Sequence, residues 1–373
     1  MEGADSGGSM PRRTSAAPRG LDRRVLMRLG FSAVAGHRLG TGGPALAQQD
    51  LRIPEDIEPA PPRQDLSKEQ IRPKLRELLG LDPVPNQVPL ETSEPETSRD
   101  GLELTVLGYR NSLGDTVPGV LAVPAGADTG TLAGVVCMSG TGGGVETLTD
   151  PQFGNRQPGT GRLMGWGREL ARRGFATLSI TLRGTTSRHI SSVHWEKHIR
   201  FLAPYGRTMM GVMVDEALRA ARILAAHEAV NPSRIGMTGM SLGGNVTWYG
   251  MASDPTIRVG VPVAGSVGSL ATAIHEGDVN RHSSYFYIPH MLRYFDHPQV
   301  VGACICPRPF MVIAPTRDED MPTSGVEKMM SIVKPVYDAA GHPERFKVYQ
   351  PESNHVYTEE YFERVVEWLK KFC

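Results

Sequence analysis

Residues 234–244 read Arg234-Ile235-Gly236-Met237-Thr238-Gly239-Met240-Ser241-Leu242-Gly243-Gly244. A short apolar run ends in a Gly-x-Ser-x-Gly turn, and a helix is expected to begin near Gly243. The turn is so tight that side chains at 239 and 243 would clash, so glycine there lets the chain reverse and pushes the Ser241 hydroxyl outward above the sheet. Gly-x-Ser-x-Gly alone is common by chance. Its placement between a strand and a helix makes Ser241 a candidate nucleophile rather than part of a structural turn.

The surrounding chain supplies a sheet for that turn to stand on. Residues 102–109 and 117–123 flank 111–115 and predict an antiparallel hairpin. Residues 133–138, 175–182, 234–240, 259–264, 309–314 and 346–350 are short apolar runs suited to strands buried on both faces. Between them lie helical patterns, notably 210–227 and 357–372, with apolar residues recurring at three and four. Alternating strands and helices imply an α/β fold with a mainly parallel, doubly wound sheet and function at the carboxyl ends of its strands.

A serine hydroxyl attacks poorly unless a base takes its proton, so a histidine and an orienting acid should follow. The run 309–314 leads into Pro315-Thr316-Arg317-Asp318-Glu319-Asp320, which sets carboxylates directly after a strand. Asp318 is the expected acid and Asp320 its rival, because a shift of two residues fits the same loop. Of the eleven histidines, His355 alone follows a strand after the acid and precedes the last amphipathic helix. His342 stands at the wrong end of that strand.

A tetrahedral intermediate needs donors aimed at its oxyanion. The Leu242 amide follows the nucleophile, and the second donor is expected from Ser139-Gly140-Thr141-Gly142-Gly143-Gly144, with Thr141 preferred and Gly142 the alternative. A phosphate-cradling loop is the competing reading of these glycines. No lysine follows them, and the dinucleotide spacing is not met in the usual register.

From about residue 100 to 373 the chain resembles the α/β-hydrolase superfamily, and within it the bacterial dienelactone-hydrolase-like and acetyl-xylan-esterase-like enzymes. The resemblance rests on the Gly-rich loop at 140–144, Arg183-Gly184, the GMSLGG run at 239–244, Asp318 and His355. It implies hydrolysis of a carboxylic ester through an acyl-enzyme, with no metal or organic cofactor, on a small or carbohydrate-linked substrate. Ser139 stands where many members carry histidine, and dienelactone hydrolases proper have cysteine in place of Ser241, so dienelactone specificity does not follow.

The domain reading is residues 1–47 as an export signal, 48–100 as a linker with a short helix, and 101–373 as the catalytic domain with an insertion at about 266–307. The leader carries Arg23-Arg24-Val25-Leu26-Met27-Arg28, a weak apolar stretch and Ala45-Leu46-Ala47, the pattern of a twin-arginine signal, and points to a periplasmic or secreted protein with a cytoplasmic one as alternative. Its apolar stretch is too short for a stable membrane anchor. The short helix should carry Ile71, Leu75, Leu78 and Leu79 on one face, with Pro73 in its first turn and Gly80 at its end.

Forty basic and forty acidic residues leave no global field for nucleic acid. That zero is a sum: residues 1–47 hold seven arginines against three acids, formally +4, so the rest holds 33 basic and 37 acidic residues, formally −4. An anionic polymer is therefore a less favoured substrate without a local basic patch. Four cysteines show no disulfide framework or metal spacing. His189, His194 and His198 are close in sequence, but the HWEKH spelling lacks a metalloenzyme pattern and reads as polar surface or pocket wall. Arg183, His282 and the aromatics of the insertion are either pocket groups or, for the aromatics, the core of a small cap. The competing function classes are a serine peptidase of the prolyl-oligopeptidase type, for which about fifty residues before the hairpin hold no propeller, and a non-catalytic binding protein on the same scaffold.

Overall fold

A computed structural model describes residues 66–159, 161–189 and 195–373. The export-signal reading of residues 1–47 lies outside the described residues. Among the described residues ten strands form one sheet: β1 (Leu90–Thr92), β2 (Glu96–Thr97), β3 (Leu102–Arg110), β4 (Thr116–Pro124), β5 (Leu132–Met138), β6 (Ala176–Ile180), β7 (Val230–Met240), β8 (Val259–Val263), β9 (Phe310–Ile313) and β10 (Phe346–Tyr349). Their order is β1-β3-β4-β6-β5-β7-β8-β9-β10, with β2 also paired to β3. The expected hairpin is β3–β4, in register from Leu102–Pro124 to Arg110–Thr116. Beyond it, β6, β5, β7, β8, β9 and β10 run parallel. This is the α/β-hydrolase architecture.

Period-two alternation divides the core. Val136 and Met138 of β5 join the cluster on one face with the Met209–Ala226, Leu242–Ser253 and Thr323–Ala339 helices. Val135 and Cys137 point the other way, toward Trp166, Leu170, Phe362 and Leu369 of the Trp166–Arg172 and Glu359–Phe372 helices. Because both faces are covered, β6, β8 and β9 are buried along their whole length; β8 and β9 read as unbroken apolar runs, while β6 buries Thr177 and Ser179 between its apolar residues.

Two local expectations change. The segment 48–100 contributes β1 and β2 to the sheet edge as well as a helix. That helix runs Lys68–Leu79, capped by a Ser67–Gln70 capping box and closed by Gly80 at φ 66°; Ile71, Leu75 and Leu79 are buried. Pro73 falls in its second turn, since the Ser67 cap starts the helix earlier than the apolar spacing alone suggested. Among the described residues no helix is long and apolar enough to cross a membrane.

Candidate active site

Ser241 sits between the end of β7 and the Leu242–Ser253 helix with φ 55° and ψ −117°, a backbone shape rarely held by a residue with a side chain. The turn closes because a β-carbon on Gly239 would meet the backbone of Gly243, and one on Gly243 would meet the Met138 carbonyl. Two backbone bonds tie the strained turn to its neighbours: Ser241 N–H to Val263 O at 2.9 Å and Gly243 N–H to Ser139 O at 3.1 Å. The elbow is thus held from β8 on one side and from the end of β5 on the other.

The acid and histidine loops are joined beyond the ends of their strands. Ala314 N–H donates to Tyr349 O, Thr316 N–H to Pro351 O and Arg317 N–H to Ser353 O, at 2.8–3.0 Å, so the β9–β10 pairing continues into both loops. This brings Asp318 against His355: Nδ1–H donates to Asp318 Oδ1 at 2.9 Å. The Asp320 carboxylate is 3.6 Å from the same nitrogen, beyond good hydrogen-bond range. Instead the Asp320 N–H donates to Asp318 Oδ1 at 3.0 Å.

The proton is thereby fixed on Nδ1 of His355, leaving Nε2 to accept another. Burial alone would lower the His355 pKa, but the hydrogen bond and charge of Asp318, with the charge of Asp320, outweigh it and raise the pKa above the ordinary histidine value. Burial raises the Asp320 carboxyl, partly opposed by His355. Asp318, Asp320 and His355 are also the one group of such side chains among the described residues close enough to share an ion, with ligand atoms within 4.8 Å. Their contacts with one another already occupy the Nδ1 of His355.

Ser241 and His355 face one cavity of about 230 Å³. Thr141 lines it and Gly142 does not. In the glycine loop Gly143 N–H is spent on Gly140 O, and Val145 N–H on Thr181 Oγ1. Leu242 begins its helix, where the first amides have no intrahelical acceptor. Among the described residues the Thr141 and Leu242 N–H groups donate no backbone hydrogen bond outside helices and strands.

The remaining wall comes from Thr147, Arg162, Leu163, Trp166 and Tyr357, most of them from the connection between β5 and β6. No functional residue was expected there. The available signal was a long loop at the carboxyl end of a strand, broken by Gly159, Gly161 and Gly165, all at positive φ.

The insertion lends nothing to this wall. Tyr285, Phe286 and Phe295 are buried in the core, which answers the question of the aromatics in favour of packing. The insertion braces the acid loop instead. His282 Nε2–H donates to the Asp320 carbonyl at 2.7 Å while its Nδ1 accepts from the Tyr287 hydroxyl at 2.6 Å, and Arg281 pairs with Glu319 at 2.5 Å. Arg183 is likewise absent from the cavity: it pairs with Asp115, and its Nη2 lies 3.2 Å from His198 Nδ1. Burial and then the Arg183 charge lower the His198 pKa. His194 lies outside the described residues.

A parallel sheet carrying an outward serine on a strained turn, with a carboxylate-bound histidine across one cavity, is the construction of an α/β-hydrolase. Comparison by sequence narrows this further: the prolyl oligopeptidase family matches residues 165–373, and the chain belongs to that family. A Bacillus subtilis (strain 168) protein, YtaP, provisionally named a hydrolase, is 29% identical over 167 residues, 45% of this chain and 55% of its own length. The chain thus spans about half of that relative.

Among solved structures, one from Bacteroides fragilis NCTC 9343, provisionally described as an acetyl xylan esterase, has TM-score 0.65 at 18% identity, covering 82% of this chain and 86% of its own. The glucuronoyl esterase of Solibacter usitatus gives 0.60 at 14%, covering 81% and 91%. The acetyl xylan esterase of Paenibacillus sp. R4 gives 0.59 at 15%, covering 86% and 98%. At these identities the likeness is one of fold.

Proposed function

We propose that the protein is a serine carboxylic-ester hydrolase working through an acyl-enzyme on Ser241. The observation that carries this is the strained Ser241 turn facing the same cavity as a histidine already anchored through Nδ1 to a buried carboxylate. Ser241 Oγ attacks the ester carbonyl carbon as His355 Nε2 takes its proton. The Leu242 and Thr141 amides receive the oxyanion. Collapse breaks the carbon–oxygen bond, and His355 returns the proton to the departing alcohol. Water then attacks the acyl carbon with His355 again as base, releasing the acid and restoring Ser241. Asp318 keeps the imidazole oriented and stabilises its protonated form.

A cavity of about 230 Å³ is smaller than the roughly 300–1,000 Å³ that holds drug-sized ligands, which favours a small acyl group. The fold is shared with proteins named as acetyl xylan and glucuronoyl esterases, which supports extending a carbohydrate-linked ester to this chain as substrate class. The test is hydrolysis of 4-nitrophenyl acetate by the wild-type protein and by Ser241→Ala. Near-complete loss in the variant is expected, because the members of such a triad act as a unit. Undiminished turnover would sink the mechanism.

Membership of the prolyl oligopeptidase family favours a second reading, cleavage of a peptide amide by the same residues. A proline-containing 4-nitroanilide separates the two. Turnover of the anilide exceeding that of the ester would replace our reading. Export through the twin-arginine signal belongs to the same proposal, and the mature N-terminus from the native host should then begin near Gln48.

A further inference from the structure

Among the described residues, a cation without a counter-ion lines the cavity of the nucleophile. Arg162 lines the cavity that holds Ser241 and His355. Among the described residues it has no carboxylate partner, and its hydrogen bond is a long one, 3.5 Å from Nη1 to Gln157 Oε1. Other half-buried arginines are satisfied either by a carboxylate, as Arg168 by Asp100 at 2.7 Å and Arg188 by Glu216 at 2.7 Å, or by several backbone carbonyls, as Arg308 by those of Asp254, Ile257, Met251 and Cys304 at 2.6–2.9 Å. Burying a guanidinium without a partner is costly, so its retention at this one wall calls for a ligand.

Two further features give the place the character of a binding site. The guanidinium rests on Gly142, where an alanine β-carbon would run into Nη1, Nη2 and Cζ, so the glycine loop leaves room for the cation to lie against it. Thr147, 2% exposed, lines the same cavity, and its Oγ1 is buried without a hydrogen-bond partner among the described residues. Outside residues 1–47 the chain is formally −4, with 33 basic and 37 acidic residues, so no general field would draw an anion to this site. A local cation must do it.

We propose that this cavity selects esters bearing a second, carboxylate group near the ester bond, and that Arg162 is the specificity-determining residue that binds it. The inference rests on the ester-hydrolase reading of the same site. A planar guanidinium offers paired N–H groups that match the two oxygens of a carboxylate, and the small cavity keeps that group close to the scissile carbonyl.

The test compares matched substrates with the full-chain protein. Mono-4-nitrophenyl adipate is set against its methyl-capped diester, and 3-acetoxybenzoate against its methyl ester, which places the charge on the acyl side and the alcohol side in turn. In wild type, kcat/KM for the charged member of one pair should exceed that of its capped partner. In Arg162→Met that ratio should fall by roughly 10- to 100-fold, the range set by a hydrogen bond to a charged group. Arg162→Lys should retain part of it. A ratio of one in wild type, or a ratio unchanged in Arg162→Met because both members slow together, would overturn the proposal. Titration calorimetry with succinate gives a readout independent of turnover: binding to wild type and loss of binding in Arg162→Met would uphold the anion site even if no ester were hydrolysed. Equal binding to both proteins would reject it.

Discussion

Asp318 holds His355 through a 2.9 Å hydrogen bond from Nδ1. The accepting oxygen also takes the Asp320 N–H at 3.0 Å, so the carboxylate is anchored from its own loop and cannot swing away from the imidazole. Asp320 contributes charge and a backbone donor, while its carboxylate stays 3.6 Å off. The two acids should therefore respond differently. Asp318→Asn presents an amide to Nδ1, favours the wrong tautomer and should lower kcat on 4-nitrophenyl acetate by about 10³- to 10⁴-fold. Asp320→Asn should stay within about tenfold, the scale of one charge acting without a direct bond. Similar losses from both variants would reject the assignment.

The pH dependence follows from the same pair. His355 must be neutral to accept the Ser241 proton, and its pKa stands above the ordinary histidine value because Asp318 and Asp320 outweigh burial. Activity should thus rise with pH through a midpoint above about 6.5 and fall about tenfold per unit below it. In Asp318→Asn burial remains while the main opposing interaction is gone. The acid limb of the residual activity should then move to lower pH. A kcat/KM profile of both proteins measures this, and an acid limb that stays in place would show that another group controls it.

Much of this site was legible because Ser241 and Asp318 follow strands with buried carboxyl-terminal halves, while chain order alone singled out His355 after the half-exposed edge strand β10. The runs that become β5, β8 and β9 are apolar on both faces, and β6 alternates buried Thr177 and Ser179 with apolar residues, so the sheet and the carboxyl-end positions of Ser241, Asp318 and His355 could be read in order. β1 and β2 were illegible for the opposite reason: they are three and two residues long and wholly exposed, and only their pairing with β3 makes them strands. Loop geometry set the remaining limit. Asp318 and Asp320 share one acidic run, and what separates them is the joined β9 and β10 loops. Arg162 and Thr147 reach the cavity from a connection whose glycine turns carry no periodic signal.

The φ of 55° at Ser241 predicts a stability cost of function. A residue with a side chain in this region costs about 1–3 kcal/mol, whereas glycine tolerates it but loses about 0.4–1 kcal/mol through its freer unfolded chain. Ser241→Gly should therefore raise stability, by up to about 2.6 kcal/mol, while removing activity. Chemical denaturation of wild type, Ser241→Ala and Ser241→Gly checks this. A glycine variant no more stable than the alanine variant would mean that the turn carries no relievable strain.

His297, in the insertion, predicts a pH-dependent stability separate from catalysis. It is fully buried, and its Nε2 lies 3.2 Å from the Tyr249 hydroxyl. Burial, opposed by the Asp296 charge, brings its pKa down to about 4, from an ordinary value of 6.5. Between those values the unfolded chain binds a proton that the folded chain refuses, so stability rises with pH across the window. It is complete above about 6.5 and lost as pH falls toward 4. Each unit of that gap corresponds to about 1.36 kcal/mol, enough to move Tm by a few degrees in a chain of this size. His297→Gln retains a polar partner for Tyr249 and does not titrate. Thermal melts between pH 7 and pH 4 should show a steeper loss of Tm in wild type than in the variant, and parallel curves would assign the acid sensitivity to other groups.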